Sequence, residues 1–276
     1  MLEYMLDFFK AWFYAPGLSW NLLLLGVGLA FAFGAVWFAA YWTPILKKPW
    51  AWAILVGSAL LTLLAVTFVQ IPLQWWSSQA LNHFWSSGVL SDWLLLAYIP
   101  TILLSGLVQE GSKMVPMVFY WRRKGRNITP RMGLIIGAVA GLGFGVFEVI
   151  WVHNTVFAAG WNWGMVESGG VMGLAVFWER FFAVAFHIAA SALAGYGLAK
   201  GWGWQAYLVA SGLHAALNYG IVLASSGLFG TVGLEIYVAV GAVLVTAAAL
   251  WLRWRRTAEL TPVEPIPPQT PGAEPA

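Results

Sequence analysis

Apolar side chains in this chain form long, almost unbroken runs rather than an alternating pattern, and residues 22–40 and 54–69 are the clearest examples. A helix needs roughly 20 apolar residues to cross the hydrocarbon of a bilayer. Seven segments meet that length: 20–42, 50–73, 93–120, 132–154, 175–199, 204–224 and 230–252. A transmembrane barrel would instead need segments of about 10 residues alternating apolar and polar. The pattern predicts an all-α, polytopic membrane helical bundle with about seven transmembrane helices.

The flanks read differently. Residues 1–18 carry Glu3, Asp7 and Lys10 among aromatic and aliphatic residues, without the basic start and cleavage site of a secretory signal. They are expected to form an interfacial amphipathic helix that stays on the mature chain. Residues 19–254 make up the seven-helix membrane domain. Residues 255–276 form a proline-rich cytoplasmic tail whose composition predicts disorder, six of the chain's 13 prolines falling after Leu260.

Composition sharpens this reading. With 61% hydrophobic and 9% charged residues, the chain departs far from the roughly 25% charged content of soluble domains. Cysteine is absent, so any metal must be held by histidine and carboxylate rather than thiolate. Lys47 and Lys48, then Arg122, Arg123, Lys124, Arg126 and Arg131, then Lys200, then Arg253, Arg255 and Arg256 all fall in alternate connections. The positive-inside rule therefore puts the N-terminus outside and the C-terminus in the cytoplasm. Most of the 19 tryptophans sit near predicted span ends, as belt and packing residues do. Base stacking needs a basic groove, none is evident, and nucleic acid is not an expected partner.

Against this apolar background Glu110, Glu148, His187, His214 and Asn218 stand out, because ionisable groups inside spans are costly and mark function by default. At about 1.5 Å per residue, Glu110 lies roughly 16 Å from the inner end of the third span. His187 lies roughly 18 Å from the outer end of the fifth, and His214 roughly 15 Å from the inner end of the sixth. These three share one level near the midplane. Glu148 lies roughly 9 Å from the outer end of the fourth span, and Asn218 is one turn outward from His214. Gly137, Gly141 and Gly145 recur every fourth residue in the fourth span, a spacing that admits a close partner helix. Structural roles compete with functional ones. Glu110 can pair with Lys113, Glu148 with Arg180, and a lone membrane histidine often does no more than bond a neighbouring helix. His153 and His83 are expected at the outer interface.

Two imidazoles and one or two carboxylates from separate helices suit a zinc site with an open position for water, with Glu148, His187 and His214 as the expected ligands. A remaining carboxylate, Glu110 or Glu148, can then act as general base, and Asn218 as an oxyanion donor. A glutamate working against a histidine without metal is the alternative. A proton-coupled transporter or channel uses the same residue types, though internal repeats are not evident. A catalytically inactive binder of membrane proteins is the third reading.

The order Gln109-Glu110-Gly111-Ser112-Lys113, Phe144-Gly145-Val146-Phe147-Glu148, His187, and His214-Ala215-Ala216-Leu217-Asn218 resembles the superfamily of CAAX prenyl endopeptidases and PrsW. The motifs are most similar to the PrsW and YhfC branches, and Glu179-Arg180 before His187 is similar to YhfC. The resemblance covers roughly residues 93–224. It implies endoproteolysis, within the bilayer, of a membrane-protein or lipid-anchored protein substrate, with Glu110, Glu148, His187, His214 and Asn218 as the residues carried over. One position departs from the family pattern: its paired glutamates are Gln109-Glu110 here, and glutamine cannot serve as a base.

Overall fold

A computed structural model describes residues 1–41 and 44–255; the predicted tail beyond Arg255 and Trp42 lie outside the described residues. In chain order the helices are α1 (Leu2–Ala11), α2 (Trp20–Ala39), α3 (Pro49–Ala65), α4 (Ile71–Phe84), α5 (Ser87–Asp92), α6 (Leu94–Ala97), α7 (Ile99–Arg123), α8 (Pro130–Ala158), α9 (Gly164–Gly169), α10 (Ala175–Ala199), α11 (Gly203–Ser225) and α12 (Thr231–Trp254). No strand occurs among the described residues. Seven of the helical stretches are long and apolar enough to span a bilayer, as the hydropathy pattern predicts.

The second span runs unbroken from Pro49 to Phe84, further than expected. A π-helical turn at Val66–Gln70 joins α3 to α4, and one extra residue per turn changes which side chains face inward beyond it. The fourth span starts where its sequence dictates. Pro130 occupies the first turn, where no backbone donor is missed, and the Thr129 hydroxyl accepts the Met132 amide at 3.2 Å.

Helices α8 and α10 form the central pair, with α2, α3, α7, α11 and α12 around them. Lipid tails are as apolar as leucine, so helices associate through close packing and polar contacts rather than through hydrophobicity. The α8 surface is built for close approach. A side chain at Gly137 would meet the Ser191 carbonyl at 2.0 Å, and one at Gly141 would meet the His187 carbonyl at 2.1 Å. Across α3, a side chain at Gly143 would meet the Leu55 carbonyl at 2.1 Å, and the Ser58 hydroxyl donates to the Ala140 carbonyl at 2.8 Å. On the other flank a side chain at Gly106 of α7 would meet the Ser211 carbonyl of α11 at 2.2 Å.

Helix α1 lies against the π-helical turn and α8. Most of its residues are exposed, but Trp12 just beyond it is buried and stacks on Trp151, with ring centres 5.0 Å apart and planes at 7°. His153, expected at the interface, is instead fully buried between helices, its Nδ1 3.0 Å from the Gly26 carbonyl of α2. His83 is exposed, as expected.

Candidate active site

Four helices each deliver one or two polar side chains to a common level. Glu110 and Lys113 sit one turn apart on α7, Glu148 projects from α8, Arg180 and His187 come from α10, and His214 and Asn218 lie one turn apart on α11. Glu110, Lys113, His187 and His214 are buried; Glu148, Arg180 and Asn218 are partly buried.

Hydrogen bonds join all of them except Asn218 into one continuous chain. His214 Nδ1 lies 2.7 Å from Glu110 Oε1, so the imidazole donates to the carboxylate. Lys113 donates to the same oxygen and to Nδ1 of His187 at 3.2 Å. On the far side of that ring, Nε2 donates to Glu148 Oε2 at 3.0 Å, and Arg180 Nη1 reaches the same oxygen at 3.5 Å while its Nη2 pairs with Glu179. Buried charges are tolerable in hydrocarbon only when paired; Lys113 pairs with Glu110, and Arg180 serves both Glu148 and Glu179. With its proton on Nε2, His187 accepts the Lys113 ammonium on its Nδ1 lone pair. Phe144 sets its edge against His187 with ring centres 4.8 Å apart, Phe186 does the same to His214 at 5.7 Å, and the two imidazole centres are 5.1 Å apart.

The close helix packing fixes these positions. Gly141 admits the His187 backbone, and a side chain at Gly145 would come 3.3 Å from the His187 Cβ, so the two glycines leave the ring little freedom to shift. Asn218 is tied across to α7, its Nδ2 donating to the Ser105 hydroxyl at 3.1 Å.

Glu148, Arg180, His187, His214 and Asn218 line a cavity of about 40 Å³, enough for a few water molecules beside polar partners. Both bonds to Glu148 fall on Oε2; Oε1 makes no hydrogen bond to a described residue. Larger cavities of about 640 and 490 Å³ are lined almost wholly by apolar residues and include no member of the polar chain.

All five residues singled out in the sequence thus meet around one cavity and its buried floor. The grouping differs in detail from the expected ligand set. Glu110, His187 and His214 each offer one ligand atom, all within 4.8 Å of one another, whereas Glu148 bonds the opposite edge of His187. Oxygen and imidazole nitrogen donors of this kind suit a divalent ion such as zinc, so the residues fit a metal that takes the place of the Lys113 ammonium between Glu110 and His187.

Two participants escaped the sequence reading. Lys113 was noticed only as a partner of Glu110, yet it also bonds His187; its place one turn after Glu110 was the available signal. Gln109 turns away from the cluster, its Nε2 donating to Gln70 Oε1 at 3.1 Å. Nothing in the sequence announced that pair, because Gln70 reaches α7 by way of the π-helical turn.

The family model for the PrsW family intramembrane metalloprotease matches residues 48–249, which takes in five of the seven spans whole, most of the last, and every residue of the polar chain. No curated protein and no solved structure matches the chain. The chain belongs to the PrsW family of intramembrane metalloproteases.

Proposed function

We propose that the chain hydrolyses a peptide bond of a membrane-protein or lipid-anchored protein substrate, with Glu110, His187 and His214 holding a zinc ion. The observation that carries this reading is the mutual approach of those three donors, buried at one level beside a small polar cavity. A zinc ion bound there would polarise the scissile carbonyl and acidify its water.

Glu148 has two tasks on this account. Its Oε2 holds the Nε2 proton of His187 and so leaves Nδ1 as the unprotonated nitrogen, which binds Lys113 here and would serve a metal that displaces the ammonium, the orienting function that carboxylates commonly serve for metal-bound imidazoles. Its Oε1 is available to accept the proton of the attacking water and pass it to the leaving amine. Asn218, steadied by Ser105, retains an amide N–H for the developing oxyanion. Lys113 balances the buried Glu110 carboxylate, and Arg180 balances Glu148. Gln109 does not weigh against activity, because it faces α3 and α4 while the working carboxylates are Glu110 and Glu148. The orientation follows the basic connections, with the N-terminus outside and the C-terminus in the cytoplasm.

The test is cleavage of tagged single-span reporters with varied juxtamembrane sequences in proteoliposomes. The wild-type chain is expected to cleave at least one reporter, and His214→Ala and Glu110→Gln to cleave none. Equal cleavage by the variants would remove the proposal.

A further inference from the structure

A large apolar cavity among the described residues lies away from the polar chain. It is a groove of about 640 Å³ between α7 and α11, running from Trp121, Arg122 and Trp204 at its mouth past Val118 to Tyr207 and Gly111. From Arg122 to Gly111 is eleven helical residues, about 16 Å along the axis. That matches half of a hydrocarbon core of about 30 Å, the length of one leaflet. The groove is therefore one acyl chain deep, apolar along its length and charged at its mouth.

The charge at the mouth has no acidic partner among the described residues. Lys47, Lys48, Arg122, Arg123, Lys124, Arg126, Arg131 and Lys200 crowd this end of the bundle, and none forms an ion pair with a described residue. Arg123, Lys124 and Arg126 lie over their own aromatic neighbours Phe119, Tyr120 and Trp121. The Arg122 side chain makes no hydrogen bond, ion pair or ring contact with any described residue, and it is exposed where the groove opens. Trp121 and Trp204 flank it at the depth where tryptophan anchors to headgroups. A cation over an apolar slot one leaflet deep is complementary to an anionic phospholipid, and basic pockets between helices commonly take such headgroups.

We propose that the groove between α7 and α11 is a binding site for one anionic phospholipid, its phosphate at Arg122 and one acyl chain lying along Val118 toward Gly111. Because Gly111 directly follows Glu110, the bound chain would pack against the back of the helix that carries the buried carboxylate.

The experiment is native mass spectrometry of the full chain in detergent, titrated with phosphatidylglycerol or with phosphatidylcholine of identical acyl chains. Wild-type protein is expected to retain one phosphatidylglycerol more tightly than phosphatidylcholine, and Arg122→Gln to weaken it about fivefold, the worth of one basic residue near an anionic headgroup. Val118→Trp, which fills the slot, is expected to abolish retention of both lipids. Arg126→Gln, outside the groove, is expected to leave retention unchanged, and soluble glycerol phosphate is expected not to compete. Equal retention of the two lipids, equal losses in the Arg122 and Arg126 variants, or a Val118→Trp chain that still holds lipid would each overturn the assignment. None of these readouts depends on proteolysis.

Discussion

The α8 and α10 pair and the outer helices α2 and α12 are all strongly apolar, yet they do different work. In their most apolar stretches 83% and 78% of the residues of the α8 and α10 spans are buried inside the protein, against 22% and 28% for α2 and α12. Hydropathy does not sort the two classes, since lipid and protein interior are equally apolar solvents. Small residues and polar groups do: α8 carries Gly133, Gly137, Gly141 and Gly145, and α10 answers with Ser191 and Gly195, whereas α12 turns Val240 and Leu244 to its surroundings. The tight pair is what holds Glu148 and His187 at hydrogen-bonding distance. Chemistry is placed where backbones come closest.

That contrast can be tested from the inside outward. Of the changes on the tight pair, Glu148→Gln has the largest expected effect, because it keeps the shape of the side chain but removes the base, and reporter cleavage should fall about 10²- to 10⁴-fold. Asn218→Ala should reduce kcat about 10²- to 10³-fold with little change in KM, as loss of one oxyanion donor does; steady-state kinetics with the best reporter distinguishes the two. Gly141→Ala adds a single methyl against the His187 carbonyl and should destabilise the fold by about 1–3 kcal/mol. Thermal unfolding in detergent measures that loss. Leu244→Ala on the outward face of α12 should change stability by no more than about 0.5 kcal/mol. A Leu244→Ala loss as large as that of Gly141→Ala would break the comparison.

The spans and the convergence of Glu110, Glu148, His187, His214 and Asn218 were legible in the sequence, because a bilayer makes both apolar length and buried charge expensive. Depth counting along the helices puts Glu110, His187 and His214 at one level. It does not fix side-chain rotation, and so does not show that Glu148 bonds the Nε2 edge of His187 while Glu110 groups with both imidazoles. The extension of the second span to Phe84 was hidden by Gln74, Ser77 and Ser78, which read as a loop. Trp12 reads as part of an interfacial helix and His153 as an interface residue at the outer end of the fourth span; their burial against Trp151 and Gly26 depends on contacts between elements distant in sequence.

The metal content of the purified chain tests the central claim most directly. Elemental analysis of the wild-type protein in detergent should find about one zinc per chain, lost in His187→Ala and His214→Ala while Leu244→Ala retains it. Wild-type protein that cleaves its reporter with no bound metal, or histidine variants that hold as much zinc as the wild type, would contradict the account.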